Sequence, residues 1–179
     1  MIESEEMRIV DLGCGKGKHV GDEDDFIIGV DVIKLQGVNV IADFKCLGWP
    51  FKKDQFDLVI CKHVLEHLDD IPKALEEIWR IGKRDGVVRI WSQYFANYSA
   101  YTDPTHKHFF TTESFDYFDP TTDLSRNWPF LTNAIFKMAN KRFIFGRPFN
   151  VLEKLFNSVI RFYECFLAYL FPAREVYFD

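Results

Sequence analysis

The 179-residue chain carries 22 Lys and Arg against 27 Asp and Glu, a net charge of −5, which argues against an extensive nucleic-acid interface because such faces are basic. One domain of this length buries roughly 70% of its unfolded surface and needs no disulfide or metal staple. Cys14, Cys46, Cys61 and Cys165 form no C-x-x-C pair. The acidic start from Ile2 to Glu6 does not read as a signal peptide, and no run approaches the ~18 apolar residues of a membrane span, so no transmembrane segment and a cytoplasmic location are expected.

The first predicted strand, Arg8-Ile9-Val10, is closed by Asp11 and enters a loop with Gly13, Gly15 and Gly17 at two-residue spacing. A glycine-dense turn after a strand lets a ligand approach the main chain, and a following helix would turn its free N–H groups to the same spot. Lys18 stands where the dinucleotide fingerprint G-x-G-x-x-G needs its third glycine, which disfavours an oxidoreductase. The stretch 18–25 has room only for a short first helix. The second strand, Phe26 to Val30, closes at Asp31-Val32, where a carboxylate suits ribose hydroxyls. The third, Val38 to Ala42, closes at Asp43-Phe44, and 33–37 is too short for a helix.

A loop over 45–55 leads to a fourth strand, Phe56 to Cys61, followed by His63. Asp70 and Pro72 start a helix running to about residue 83 with Ala74, Leu75, Ile78, Trp79 and Ile81 on its apolar face. Lys83-Arg84-Asp85-Gly86 reads as a turn, and Val87 to Trp91 as the fifth strand. Of the thirty aromatic residues, twenty-four lie from Trp91 onward, so the second half is expected to be specialised. There a patternless stretch surrounds T-D-P-T-H-K-H, residues 102–108. Thr112 to Phe115 predicts a short helix start, Ala134 to Phe145 a strand, Pro148 to Leu170 an amphipathic helix packed on the sheet, and Glu175 to Phe178 a last strand. The apolar stripe of that helix runs through Leu152, Leu155, Phe156, Val159, Phe162, Tyr163, Phe166 and Leu170.

D-L-G-C-G-K-G at 11–17 and F-D-L-V-I-C-K-H-V-L-E-H-L at 56–68 resemble motif I and the motif IV region of the class I S-adenosylmethionine (SAM) dependent methyltransferases, in the form common among small type 11-like members. The resemblance covers about residues 8–92. It implies a Rossmann-like α/β fold with a mostly parallel, doubly wound sheet, SAM as cofactor and an unidentified methyl acceptor, expected to be a small molecule. It places Asp11, Gly13, Gly15 and Gly17 at the methionine part of SAM, Asp31 and Val32 at the ribose, Asp43 and Phe44 near adenine, and His63 at the cofactor's border. The family carries helices before the first strand that help cover SAM. Only seven residues precede Arg8 here, so pocket cover is expected from residues 93–130 or from a second copy in a homodimer. The chain thus divides into a cofactor half (8–92), an acceptor-side insertion (93–130) and a sheet-completing part (131–179).

Asp103, His106 and His108 are the catalytic candidates, since imidazoles suit proton transfer near neutrality; ligating a metal or fixing the loop are their other readings. In an extended segment the imidazoles of His106 and His108 share one side, and the neighbouring tyrosines and phenylalanines would dry the pocket. His63 to His67 also spells H-x-x-E-H, an inverted zinc-protease motif. That motif needs both imidazoles on one helical face, whereas His63 directly follows a strand, so no metal site is expected. The competing class is a SAM-binding regulatory or partner protein without turnover.

Overall fold

A computed structural model describes residues 6–21, 25–46 and 48–179. Seven strands form one open sheet: β1 (Arg8–Leu12), β2 (Phe26–Asp31), β3 (Val40–Ile41), β4 (Phe56–Lys62), β5 (Gly82–Gln93), β6 (Lys141–Ile144) and β7 (Glu175–Phe178), in the order β3-β2-β1-β4-β5-β7-β6. The first five are mutually parallel, and β7 runs antiparallel between β5 and β6. Alternation sorts the side chains by face. Val10 and Leu12 join the large core cluster with Val59, Cys61, Ile78 and Phe178, while Ile9, Leu58 and Ile60 form a small cluster with Ile27 and Trp91.

The helix α1 (Ile71–Ile81) starts where its sequence says: the Asp70 carboxylate accepts from Lys73 N–H at 3.1 Å and Pro72 sits in the first turn. Ala74, Leu75, Ile78 and Ile81 are buried, whereas Trp79 is exposed. From its outer face Arg80 bonds the carbonyls of Phe51 and Trp49, and Glu77 accepts from Trp49 N–H, which fixes the loop before β4. Lys83 to Gly86 fall between the pairs Phe56↔Gly82 and Leu58↔Val87, so the expected turn is a wide bulge inside a longer β5.

Several elements differ from the sequence reading. Among the described residues no helix follows the glycine loop; a turn (Gly17 N–H to Cys14 carbonyl, 3.1 Å) and the Asp11 carboxylate hold it instead. Residues 22–24 of the expected first-helix segment lie outside the described residues. The acceptor-side stretch contains α2 (Ser99–Thr102) and α3 (Asp123–Asn127), with a 3-10 turn at Asp116–Phe118. The strand expected over 134–145 shrinks to β6, because Phe136 N–H bonds Phe118 carbonyl and Met138 N–H bonds the Asp119 carboxylate. The long C-terminal helix breaks into a 3-10 turn, α4 (Glu153–Ser158), α5 (Ile160–Phe162) and a π turn at Tyr163–Leu167, with Val159 non-helical between α4 and α5. Asn157 caps the sheet edge there, accepting from Phe143 N–H at 2.6 Å and donating to its carbonyl at 2.9 Å. Phe156 and Tyr163 face the core, but Leu155, Val159, Phe162, Phe166 and Leu170 of the expected stripe are exposed.

Candidate active site

The C-terminal ends of the parallel strands share one edge. Leu12 lies opposite Val30 and Cys61, Asp31 opposite Ile41, and Lys62 opposite Trp91. After β3 the chain crosses to β4 on the far side of β1, so the winding reverses between β1 and β4. Ligands of open α/β sheets enter at that crevice.

The glycine loop occupies it. Gly13 has φ +66°, and a Cβ there would lie 2.2 Å from Val64 Cγ2, so both backbone angle and close approach require glycine. Among the described residues a Cβ on Gly15 or Gly17 meets nothing within 4 Å, so these leave the space beside the two glycines open. Gly15 N–H donates to Asp31 Oδ2 at 2.9 Å and Ile33 N–H to Asp31 Oδ1 at 3.0 Å. An ionised carboxylate has about four acceptor positions, so roughly two remain at Asp31. Val32, Ile33 and Ile41 are exposed beside it. Asp43 is exposed and anchors a turn through Lys45 N–H at 3.0 Å, while Phe44 packs edge-on to Trp49. Asp11 lies within β1, buried, and its carboxylate accepts from His19 N–H at 2.6 Å. Burial raises its pKa, against the pull of the His19 bond.

His63 follows β4 in a left-handed conformation, φ +55°, uncommon for a residue with a side chain. It is held by its N–H to Trp91 carbonyl at 2.9 Å and by two carboxylates, Glu66 Oε1 at 3.1 Å from Nδ1 and Glu175 Oε1 at 3.7 Å from Nε2. Burial works against the imidazolium, but Glu175 and Glu66 outweigh it and push the pKa up to about 9. Glu66 is 1% exposed. Burial raises its pKa, the His63 bond lowers it, and the net shift is downward. Its Oε2 is buried and, among the described residues, has no hydrogen-bond partner. Glu175 also lies below its ordinary range, first through His63.

Beside this trio a cleft of about 620 Å³ is lined by His63, Glu66, His67, Gln93, Ser99, Thr102, Asp103, Pro104 and His106. The 102–108 segment docks on the turn after β4: Lys107 and His108 N–H groups both donate to Glu66 carbonyl, Lys107 pairs with Asp69, and His108 Nε2 lies 2.9 Å from Leu68 carbonyl. His106 and Asp103 therefore line the cleft, whereas His108 is tied to the backbone. The two imidazoles do not share surroundings. The expected aromatic lining is absent from the cleft: Tyr94 is buried against Phe95, Phe143 and Tyr163, and Tyr98, Tyr101 and Phe109 are exposed. A larger, more apolar hollow of about 970 Å³ beside Gly82 to Val88 lies at the opposite strand ends and holds none of these groups.

Glu66, His67 and Glu175 were not singled out as site residues from sequence. An acid opening the otherwise apolar strand E-V-Y-F is the available signal for Glu175; Glu66 and His67 are marked only as the last two residues of H-x-x-E-H, whose metal reading is set aside above.

Residues 10–90 match a family model described as a methyltransferase domain. Over 92 residues the chain is 36% identical to human arginine-hydroxylase NDUFAF5, a mitochondrial protein, covering 44% of this chain and 26% of that one. The chain thus spans about a quarter of that relative's length. Two solved structures share the fold over nearly the whole chain. A SAM-dependent methyltransferase from Archaeoglobus fulgidus aligns with TM-score 0.63 and 20% identity, over 97% of this chain and 85% of that one. One from Mesorhizobium loti aligns with TM-score 0.61 and 15% identity, over 99% and 92%. With its strand order and its glycine loop at the winding reversal, the chain is similar over residues 10–90 to the methyltransferase-domain family and shares the fold of solved SAM-dependent methyltransferases.

Proposed function

We propose that the protein transfers a methyl group from SAM to a small-molecule acceptor held in the cleft beside His63. The observation that carries this reading is the open space beside Gly15 and Gly17 at the winding reversal, next to an Asp31 with acceptor positions to spare. Those residues fit the cofactor: the glycines leave room for its methionine part, Asp31 accepts from ribose hydroxyls, and exposed Val32, Ile33 and Ile41 offer an apolar face to adenine near Phe44 and Asp43. When bound, SAM supplies an electrophilic methyl on a sulfonium that leaves as a neutral thioether.

What remains for the chain is to orient the acceptor and strip it of water. His63, charged at neutral pH, is a poor base there; it holds Glu66 and Glu175 in place. The ion pair of Glu66 with His63 gives that wall of the cleft a fixed polar edge against which the acceptor is oriented. His106 and Asp103 contact the acceptor from the opposite wall, and His108 anchors the segment that carries them.

Labelled SAM incubated with the protein and a small-molecule extract tests the reading. Label appearing in an extract component is the expected result. Binding of SAM with no transfer to extract or macromolecules would instead assign a SAM-binding protein without turnover, and failure to bind SAM would sink both readings.

A further inference from the structure

One donor atom from each of His67, Asp103 and His106 lies within 4.8 Å of the other two. The bonds these residues already make decide which atoms stay free. His106 Nδ1 lies 2.7 Å from Ala100 carbonyl, which only accepts, so Nδ1 carries the hydrogen and Nε2 the lone pair of the neutral ring. Thr105 hydroxyl donates its single proton to Asp103 Oδ1 at 2.7 Å, so it must accept from His67 Nδ1 at 2.9 Å, and His67 Nε2 is bare as well. Asp103 Oδ1 also takes Thr105 N–H at 2.8 Å, which leaves Oδ2 for another partner. An imidazole whose Nδ1–H is held by a carbonyl, or by a hydroxyl tied to a carboxylate, is oriented as metal-ligating histidines are.

We propose that His67, Asp103 and His106 bind one divalent first-row transition ion of the Zn²⁺ or Fe²⁺ kind, with its remaining coordination position open to the cleft. Two imidazoles and one carboxylate favour such ions over Mg²⁺ or Ca²⁺, which take oxygen ligands. Three protein ligands with one place left is the pattern of a reactive site, not a structural one. A tetrahedral ion with ligands at about 2.0–2.2 Å sets the donor atoms about 3.4 Å apart, so the three donor atoms, within 4.8 Å of one another, close further on the ion. The carboxylates of Asp103 and Glu66 on the cleft walls favour a cation there against the charge of His63.

The set takes one histidine from each of two sequence motifs, His67 from H-x-x-E-H and His106 from H-x-H, which is why neither motif alone predicts it. Resting on the reading of the cleft as the acceptor site, the open position takes an ionisable oxygen of the acceptor, a hydroxyl or an enol. His106 then acts as a ligand and not as a base.

The test uses tag-free full-length protein stripped with chelator, titrated with Co²⁺ and with Zn²⁺ by visible absorption and calorimetry, with SAM binding by the metal-free protein measured in parallel. One equivalent of either ion per chain is expected, with the visible bands of four- or five-coordinate Co²⁺. Asp103→Asn keeps the Thr105 bonds but removes the charge, and it should weaken binding at least about tenfold, as should His106→Ala. Thr105→Val should weaken it about 10–100-fold through lost orientation, while His19→Ala leaves it unchanged. No stoichiometric binding, or equal binding by Asp103→Asn and His106→Ala, overturns the site. Metal binding intact with no SAM binding would instead count against the methyltransferase reading and leave the site standing.

Discussion

Gly13→Ala probes the loop on which the site is built. Alanine at φ +66° incurs the left-handed penalty, about 1–2 kcal/mol. Its Cβ would sit 2.2 Å from Val64 Cγ2, an overlap relieved only by shifting a packed core, about 1–3 kcal/mol more. The single variant should therefore lose about 2–5 kcal/mol. Val64→Ala removes the overlapping methyl groups at about 0.8 kcal/mol per buried carbon, about 1.6 kcal/mol in all. In the double variant the nearest remaining Val64 position, Cβ, is 3.6 Å away, an ordinary contact. Only the backbone penalty and the lost burial then remain, about 2.6–3.6 kcal/mol, so the two changes couple by about 1–3 kcal/mol in the favourable direction. Urea unfolding at constant m-value reads this directly. Additivity within about 0.5 kcal/mol would refute the claim that Val64 and the glycine loop are in contact.

Asp31→Ala should weaken SAM binding by about 1–3 kcal/mol through the lost ribose acceptor, and calorimetry that finds unchanged affinity would remove Asp31 from the site. The His63 imidazole has a folded pKa of about 9, above the ordinary 6.5, so its pairing with Glu66 and Glu175 stabilises fully below pH 6.5 and is lost as pH rises through 9. With the side chain 29% exposed, the contribution is about 1–2 kcal/mol after solvent screening; the urea-midpoint gap between wild type and His63→Gln should close between about pH 6 and pH 10, and a constant gap would contradict the pairing. Asp70→Ala should lower stability by about 0.5–2 kcal/mol by uncapping α1, and an unchanged urea midpoint would show that the cap is energetically silent.

Local signals carried the first half of the chain. The glycine spacing, Asp31 after an apolar run and the Asp70-x-Pro72 helix start each depend on residues within a few positions of one another, and β7 falls where its apolar run predicts. The second half is set by distant partners. Met138 leaves the strand pattern because Asp119 takes its N–H, and Asn157 does the work of a neighbouring strand for Phe143. The cleft was half legible. Asp103 and His106 stand out as a polar island among aromatics, but their meeting with His67 depends on Glu66 carbonyl catching the N–H groups of Lys107 and His108. Glu175 reaches His63 only through the antiparallel register Gln93↔Glu175. Neither contact has a counterpart in sequence spacing.

The most direct test of the account is a crystal structure with S-adenosylhomocysteine bound. The account predicts ribose hydroxyls on Asp31, the adenine against Val32, Ile33 and Ile41, and the sulfur beyond Gly15 facing the cleft lined by His63, Glu66 and His106. A product seated in the hollow beside Gly82, or with its sulfur turned away from the cleft, would contradict it.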